Sequence, residues 1–219
     1  MLIVHHLQRG QSERIVWLCE ELGVPYQLKT YERDAKTFQA PPQLQAIHPS
    51  RSAPVIEDGD VVLAESSAIV EYILTKYGNG KLSVAPTEKN YADYLYFLHF
   101  VNGNLQPAIL RMLLVERTGI AVTDPSAFFT RLSFEKSFKS LEERLSNNTW
   151  LAGEEFTAAD IMVVFSLTTM RIFYPYSLAA YPSILAFLKR VGEREGYQRA
   201  MRKGDPGLKP LLDAEVPKK

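Results

Sequence analysis

Strand signals in this chain stop at Gly78-Asn79-Gly80, and the periodic segments beyond that break read as helices. Before it, Leu2-Ile3-Val4 is a short buried strand. Residues 12–22 form a helix with Ile15, Leu18, Cys19 and Leu22 at helical spacing, stopped by Gly23 and Pro25. Tyr26, Leu28 and Thr30 alternate with Gln27, Lys29 and Tyr31 as a second strand. Residues 32–49 are polar and punctuated by prolines, with one short helix around residues 43–47. Two strands flank Asp58-Gly59-Asp60, a hairpin turn, and a helix covers residues 65–76. The order β-α-β-α-β-β-α implies a four-stranded mixed sheet covered by helices.

After the break, residues 87–117 carry a long helical pattern, bent or interrupted near Gly103 and Pro107. Phe128, Leu132, Phe138, Leu141 and Leu145 mark another helix. Thr157 followed three residues later by Asp160 is a capping arrangement ahead of residues 161–173. That run is apolar on nearly every side, so its helix is central and buried. Pro182 opens a further helix at its favoured first position, and the tail after Gly204 is extended. The expected organisation is an α/β domain over residues 1–78, a linker at 79–86 and an all-α helical-bundle domain over 87–219.

Charge excludes some functions. The chain has 25 Lys and Arg against 25 Asp and Glu, so it carries no general electrostatic footprint for nucleic acid or an anionic membrane. No segment approaches the roughly 20 apolar residues of a membrane span. Met1-Leu2-Ile3-Val4-His5-His6 lacks a basic region and a long apolar run, so no signal peptide is expected. Cys19 is the single cysteine, which excludes an internal disulfide and a CxxC pair and suits a cytoplasmic location. The four histidines show no metal-ligand spacing, and no metal is expected.

The chemistry concentrates in Ala53-Pro54-Val55 and Glu65-Ser66. Proline fits only at the start or edge of a strand, and a cis bond there makes a fixed corner. Beside it, an acid and a hydroxyl open a helix whose first N–H groups favour anions. One such site can take a peptide backbone, an ammonium and a carboxylate together.

Four motifs in order make the chain resemble the cytosolic glutathione transferases, fungal and bacterial members most closely. They are residues 12–26, His48-Pro49 followed by Ala53-Pro54-Val55, Glu65-Ser66-Ser67-Ala68-Ile69, and the capped helix at Thr157 to Asp160. The resemblance covers essentially the whole chain. It implies a thioredoxin-like N-terminal domain, an all-helical second domain, a homodimer, and glutathione as co-substrate with no permanently bound cofactor. It further implies a cis Pro54, main-chain pairing of Val55 with the cysteinyl unit of glutathione, Glu65 on the ammonium, and Ser66 on the γ-glutamyl carboxylate. Simple helix capping is the competing account of Glu65 and Ser66.

The nucleophile in such enzymes is the thiolate. Lowering a thiol pKa from about 8.5 by about two units takes roughly 3 kcal/mol of differential stabilisation. Relatives reading Ser-Arg-Ser-Gln-Arg often use the first serine as donor, and that position here is Gly10. Ser12 is the hydroxyl left in the segment and is taken as the catalytic residue. The N-cap of the first helix is its structural alternative, and the Gln11 amide or backbone N–H groups of residues 10–12 are the other sulfur donors. Many relatives carry Gly-Lys where this chain has Arg51-Ser52: Ser52, kept among the glutathione-binding residues, cannot supply the lysine's charge to the glycyl carboxylate, and Arg51, Lys36 and Gln39 are the candidates for that end. His99, Phe100 and Asn102 are the candidates for the pocket of an electrophilic, apolar second substrate. The alternatives to a conjugating enzyme are a non-catalytic binding module, a glutathione-dependent peroxidase or thiol reductase, and, weakest, a chloride-channel-like membrane protein.

Overall fold

The computed structural model describes residues 1–216. They divide into two compact units: residues 1–85 with 191–210, and residues 86–190 with the tail from Leu211.

In the first unit, β1 (Leu2–Leu7), α1 (Glu13–Leu22), β2 (Tyr26–Tyr31), the short α2 (Pro42–Gln45), β3 (Val55–Asp58), β4 (Val61–Ala64) and α3 (Ser66–Tyr77) follow the expected order. The sheet order is β2-β1-β3-β4. β1 runs parallel to β2 and antiparallel to β3, which pairs antiparallel with β4. This is the four-stranded mixed sheet that the sequence implies. Two turns rest on glycine: Gly23 closes α1 at φ 69°, its N–H donating to the Cys19 carbonyl, and Gly59 turns the hairpin at φ 63°. β1 is longer than its apolar run suggests, because His5 and His6 continue the strand and are both buried. Leu44 of α2 packs with Leu7 and Ala40, with Tyr31, Ile47 and Ala53 around them, which seats the segment leading to Pro54.

The helix α9 (Glu195–Gly204) belongs to this first unit, so residues 191–210 depart from the expected 87–219 range. The cause is charge and packing. Glu21 of α1 takes a two-pronged bond from Arg194, at 2.9 and 2.8 Å, and accepts from Trp17 Nε1 at 2.8 Å. Glu20 accepts from Tyr26 at 2.7 Å, Lys203 at 2.6 Å and Arg199 at 3.2 Å. Gly196 permits the approach, since a Cβ there would lie 2.5 Å from the Glu21 carboxylate.

The second unit holds α4 (Tyr91–Phe100), α5 (Gln106–Arg117), α6 (Phe128–Asn147) and α7 (Ala158–Leu167), and Pro182 begins α8 (Pro182–Glu193) as expected. The interruption expected near Gly103 is a π-helical turn, Val101–Leu105, with Gln106 N–H donating to the Val101 carbonyl. Proline has no N–H and its ring crowds the carbonyl four residues back, so one wider turn before Pro107 accommodates it. Thr157 and Asp160 form the expected reciprocal cap, and all ten residues of α7 are buried. Asp160 also accepts from Leu151 N–H at 2.8 Å, tying the preceding loop to the helix start. The helix ends at Leu167 rather than running to Phe173. The chain leaves helical geometry at Thr168 and makes a short 3-10 turn, Thr169–Ile172.

Asp58 ties the hairpin to α3 by accepting from Lys76 at 2.6 Å, Tyr77 at 2.6 Å and Tyr72 at 2.9 Å. These donors, Lys76 foremost, hold its pKa down at about 2 against an ordinary 3.8. A carboxyl whose folded pKa is depressed adds stability above its unfolded pKa and loses it as pH falls toward the folded value. Asp58→Asn should therefore lower Tm near neutral pH, and the gap from wild type should shrink as pH falls from the ordinary carboxylate range toward 2. Thermal melts across that window check this, and a constant gap contradicts it.

Candidate functional site

The β1–α1 loop, the approach to β3, the end of β4 and the start of α3 meet at a cleft of about 250 Å³ in the first unit. Gln11 lines it from the β1–α1 loop, Ser52, Ala53 and Pro54 from the approach to β3, and Glu65 and Ser66 from the start of α3. His48 and Ser50 add a polar rim. The Ala53–Pro54 bond is cis. Val55, next in chain, is the first residue of β3, is wholly buried, and is not among the residues that line the cleft.

Glu65 is the backbone outlier of the site. It sits before α3 at φ 78° and ψ 113°, a region that favours glycine, and its side chain makes no capping bond to the helix. Such a conformation in a side-chain-bearing residue costs on the order of 1–3 kcal/mol. Simple capping by Glu65 is therefore not what this geometry serves. Ser66 is buried as the first residue of α3.

Behind these two lies a residue that sequence reasoning missed. Arg14 is fully buried in the first turn of α1. Its Nη1 donates to Gln11 Oε1 at 2.9 Å and approaches Ser66 Oγ at 3.4 Å. Burial pushes its pKa down to about 10, while the charges of Glu13 and then Glu65 pull it back, so it remains a cation at neutral pH. An arginine on the same stripe as Leu18 was the available signal, because a charge on the buried face of a helix requires partners.

The β1–α1 loop places Ser12 away from the cleft. Its side chain is buried inside the unit, with none of its surface exposed. Its Oγ accepts from Leu7 N–H at 3.0 Å and lies 2.9 Å from His6 Nδ1 and 3.3 Å from the Leu7 carbonyl. His6 continues to Asp205 at 3.1 Å, and Asp205 also accepts from Arg9 N–H at 2.7 Å. Ser12 stands at the N-cap of α1 but makes no side-chain cap bond. Its hydroxyl is part of a strut joining β1 to the end of α9 and does not line the cleft. Gly10 explains the missing serine: a Cβ there would sit 2.6 Å from the Leu7 carbonyl and 3.2 Å from Arg33. Cys19 is buried as well, and burial pushes its thiol up to about 12, an inert core group.

At the rim, Ser52 is exposed and lines the cleft, whereas Arg51, Lys36 and Gln39 are not among its lining residues. Arg51, at φ 51°, closes the turn begun at His48, its N–H donating to the His48 carbonyl at 2.9 Å. His99, Phe100 and Asn102 belong to the second unit, at the end of α4 and in the π turn. Phe100 is buried, its ring 5.7 Å from that of Tyr96 and 5.9 Å from that of Phe97. His99 is exposed and Asn102 half-buried.

A mixed four-stranded sheet with a cis-proline cleft, joined to a helical unit, is the architecture of a thioredoxin-like transferase. Comparison with known proteins gives the family. Residues 10–76 match the glutathione S-transferase N-terminal domain and residues 133–195 its C-terminal domain. Glutathione S-transferase 3 of Schizosaccharomyces pombe is 31% identical over 93% of this chain and 88% of its own length. Glutathione S-transferase 1 of Saccharomyces cerevisiae is 29% identical over 91% of this chain and 94% of its own. A crystal structure of a glutathione S-transferase from Actinobacillus pleuropneumoniae superposes with a TM-score of 0.86 at 33% identity, covering 98% of this chain and 95% of that one. The chain belongs to the glutathione transferase family.

Ser12→Ala removes the partner of Leu7 N–H and His6 Nδ1 in a buried site. It should cost about 1–3 kcal/mol of stability. Bound glutathione should keep the thiol pKa of the wild-type complex. Chemical denaturation and a thiol titration of the complex check the two parts, and a raised thiol pKa with unchanged stability would restore Ser12 as sulfur donor.

Proposed function

We propose that the protein conjugates the thiolate of glutathione to electrophilic, fairly apolar small molecules, in detoxification or in a biosynthetic step. The observation that carries this reading is the strained Glu65, held at the edge of the cleft with Ser66 and the cis Pro54. An anion-accepting helix start and a carboxylate side by side match the α-carboxylate and ammonium of a γ-glutamyl group. Main-chain groups of Val55 pair with the cysteinyl unit beyond them, and Ser52 meets the glycyl end. Relatives support the ligand: glutathione transferases of Phanerochaete chrysosporium and of a sphingomonad have been solved with oxidized glutathione and with glutathione, respectively. Fixing the thiolate beside an apolar second substrate supplies proximity, and solvation of the sulfur by the protein supplies activation.

The helical unit supplies the second-substrate residues in this reading, with His99 and Asn102 as polar candidates. The protein acts as a cytoplasmic homodimer, as the resemblance to the family implies. No helix among the described residues is long and apolar enough to cross a membrane.

The buried Ser12 favours one second reading, a module that binds glutathione without activating it. Glutathione-affinity retention combined with conjugation of chlorodinitrobenzene and a panel of enones and peroxides separates the two. Retention with turnover supports the enzyme, retention with the bound thiol titrating as free glutathione supports the module, and no retention removes both. Glu65→Gln keeps the shape and drops the charge. A hydrogen bond to a charged group contributes about 1.5–3 kcal/mol, so glutathione affinity should fall about tenfold to a hundredfold. Unchanged affinity by calorimetry would take the ammonium away from Glu65.

A further inference from the structure

We propose that the side-chain amide of Gln11 is the hydrogen-bond donor that holds the glutathione thiolate, with Arg14 as the residue that aims it. This rests on the glutathione-binding reading above. Three observations converge on it.

The β1–α1 loop offers no other side-chain donor to the cleft. Gly10 has none and its backbone leaves no space for one, since a Cβ would lie 2.6 Å from the Leu7 carbonyl. The Ser12 hydroxyl is buried between Leu7 and His6. Gln11 alone from this loop lines the cleft, in company with Pro54, Glu65 and Ser66.

The orientation of the Gln11 amide follows from its partner. Arg14 Nη1 stands 2.9 Å from one end of the amide. A guanidinium has only donors, so that end must be the oxygen. The NH₂ end, with both its protons, is left for the cleft. The first helical N–H groups are already spent locally, Glu13 N–H on the Gly10 carbonyl at 3.0 Å and Arg14 N–H on the Gln11 carbonyl at 3.2 Å.

The polarity suits an anion. Arg14 polarises the amide by drawing on its oxygen, which strengthens the NH₂ as donor. The titratable groups lining the cleft are Glu65 from the start of α3 and His48 from the turn before β3, and behind Gln11 stands Arg14 with the charges of Glu13 and Glu65 acting on it. The thiol proton leaves to water. The amide keeps its own protons throughout and acts as donor, never as base. With a chloroarene the sulfur forms the new C–S bond, the C–Cl bond breaks, and chloride leaves with the electron pair.

The test compares wild type, Gln11→Ala and Gln11→Glu, each checked for fold by circular dichroism. The thiol pKa of bound glutathione is read from thiolate ultraviolet absorbance, and affinity is measured with S-methylglutathione, which has no thiol to ionise. Gln11→Ala should raise the bound thiol pKa by about one unit. It should lower kcat/KM about tenfold at pH well below the free-thiol value and much less above it. S-methylglutathione affinity should stay within about twofold. Gln11→Glu keeps the bond to Arg14 but replaces the donor with an anion, so it should raise the thiol pKa further. Arg14→Lys keeps the charge but shortens the reach to the amide, and should raise it less than Gln11→Ala. An unchanged thiol pKa in both Gln11 variants, with wild type below the free value, overturns the proposal and assigns the sulfur to backbone N–H groups. Wild type that fails to bind S-methylglutathione overturns the underlying reading, and this proposal with it.

Discussion

A buried guanidinium cannot be left without acceptors, and Arg14 has none of its surface exposed. Its partners come from two helix starts that are distant in sequence. Gln11 approaches from the loop before α1 and Ser66 from the first turn of α3, with the charges of Glu13 and Glu65 nearby. Removing one member of such a cluster strands the others, so the cluster fixes the two helix starts relative to each other. The cleft is the space those two starts leave in front of the cis Pro54.

The other side of the same loop is fixed by a different means. Ser12, His6 and Asp205 form a fully satisfied chain from β1 to the end of α9. It depends on close backbone approach, because a Cβ on Gly204 would lie 2.9 Å from His6 Nε2. A serine beside a histidine beside an aspartate looks like nucleophile chemistry in a list of residues. Burial and the bond from Leu7 N–H turn it into a strut instead. Polar residues near an active loop can thus be structural for the same reason that makes them look catalytic: they are held in defined geometry.

Much of this was legible in the chain, and the exceptions have common causes. Gly23, Gly59, Pro182 and the Thr157–Asp160 cap mark their elements because local chemistry decides them. The corner at Pro54 and the helix start at Glu65 and Ser66 are legible because they are local features too. What stayed hidden is long-range. His6 looked polar and so shortened β1, because its partner Asp205 lies 199 residues away. Residues 191–210 were assigned to the helical half because the matching charges on Glu20 and Glu21 carry no local signature. Ser12 is a hydroxyl in the segment where a sulfur donor is expected, and only its burial shows which way it faces.

Gly10 shows how one small residue redistributes roles around a site. Where relatives carry a serine, this loop brings the Leu7 carbonyl to within 2.6 Å of the place a Cβ would occupy. Restoring the serine would therefore meet backbone, which cannot give way as a flexible side chain can, so the hydroxyl is excluded by loop shape and not merely absent from the sequence. The same tight turn carries Gln11 to the cleft and puts it within reach of Arg14. The amide at this place has its direction set from behind by a buried cation. An amide cannot take the thiol proton, so a donor of this kind can act only by solvating a thiolate that water has already deprotonated.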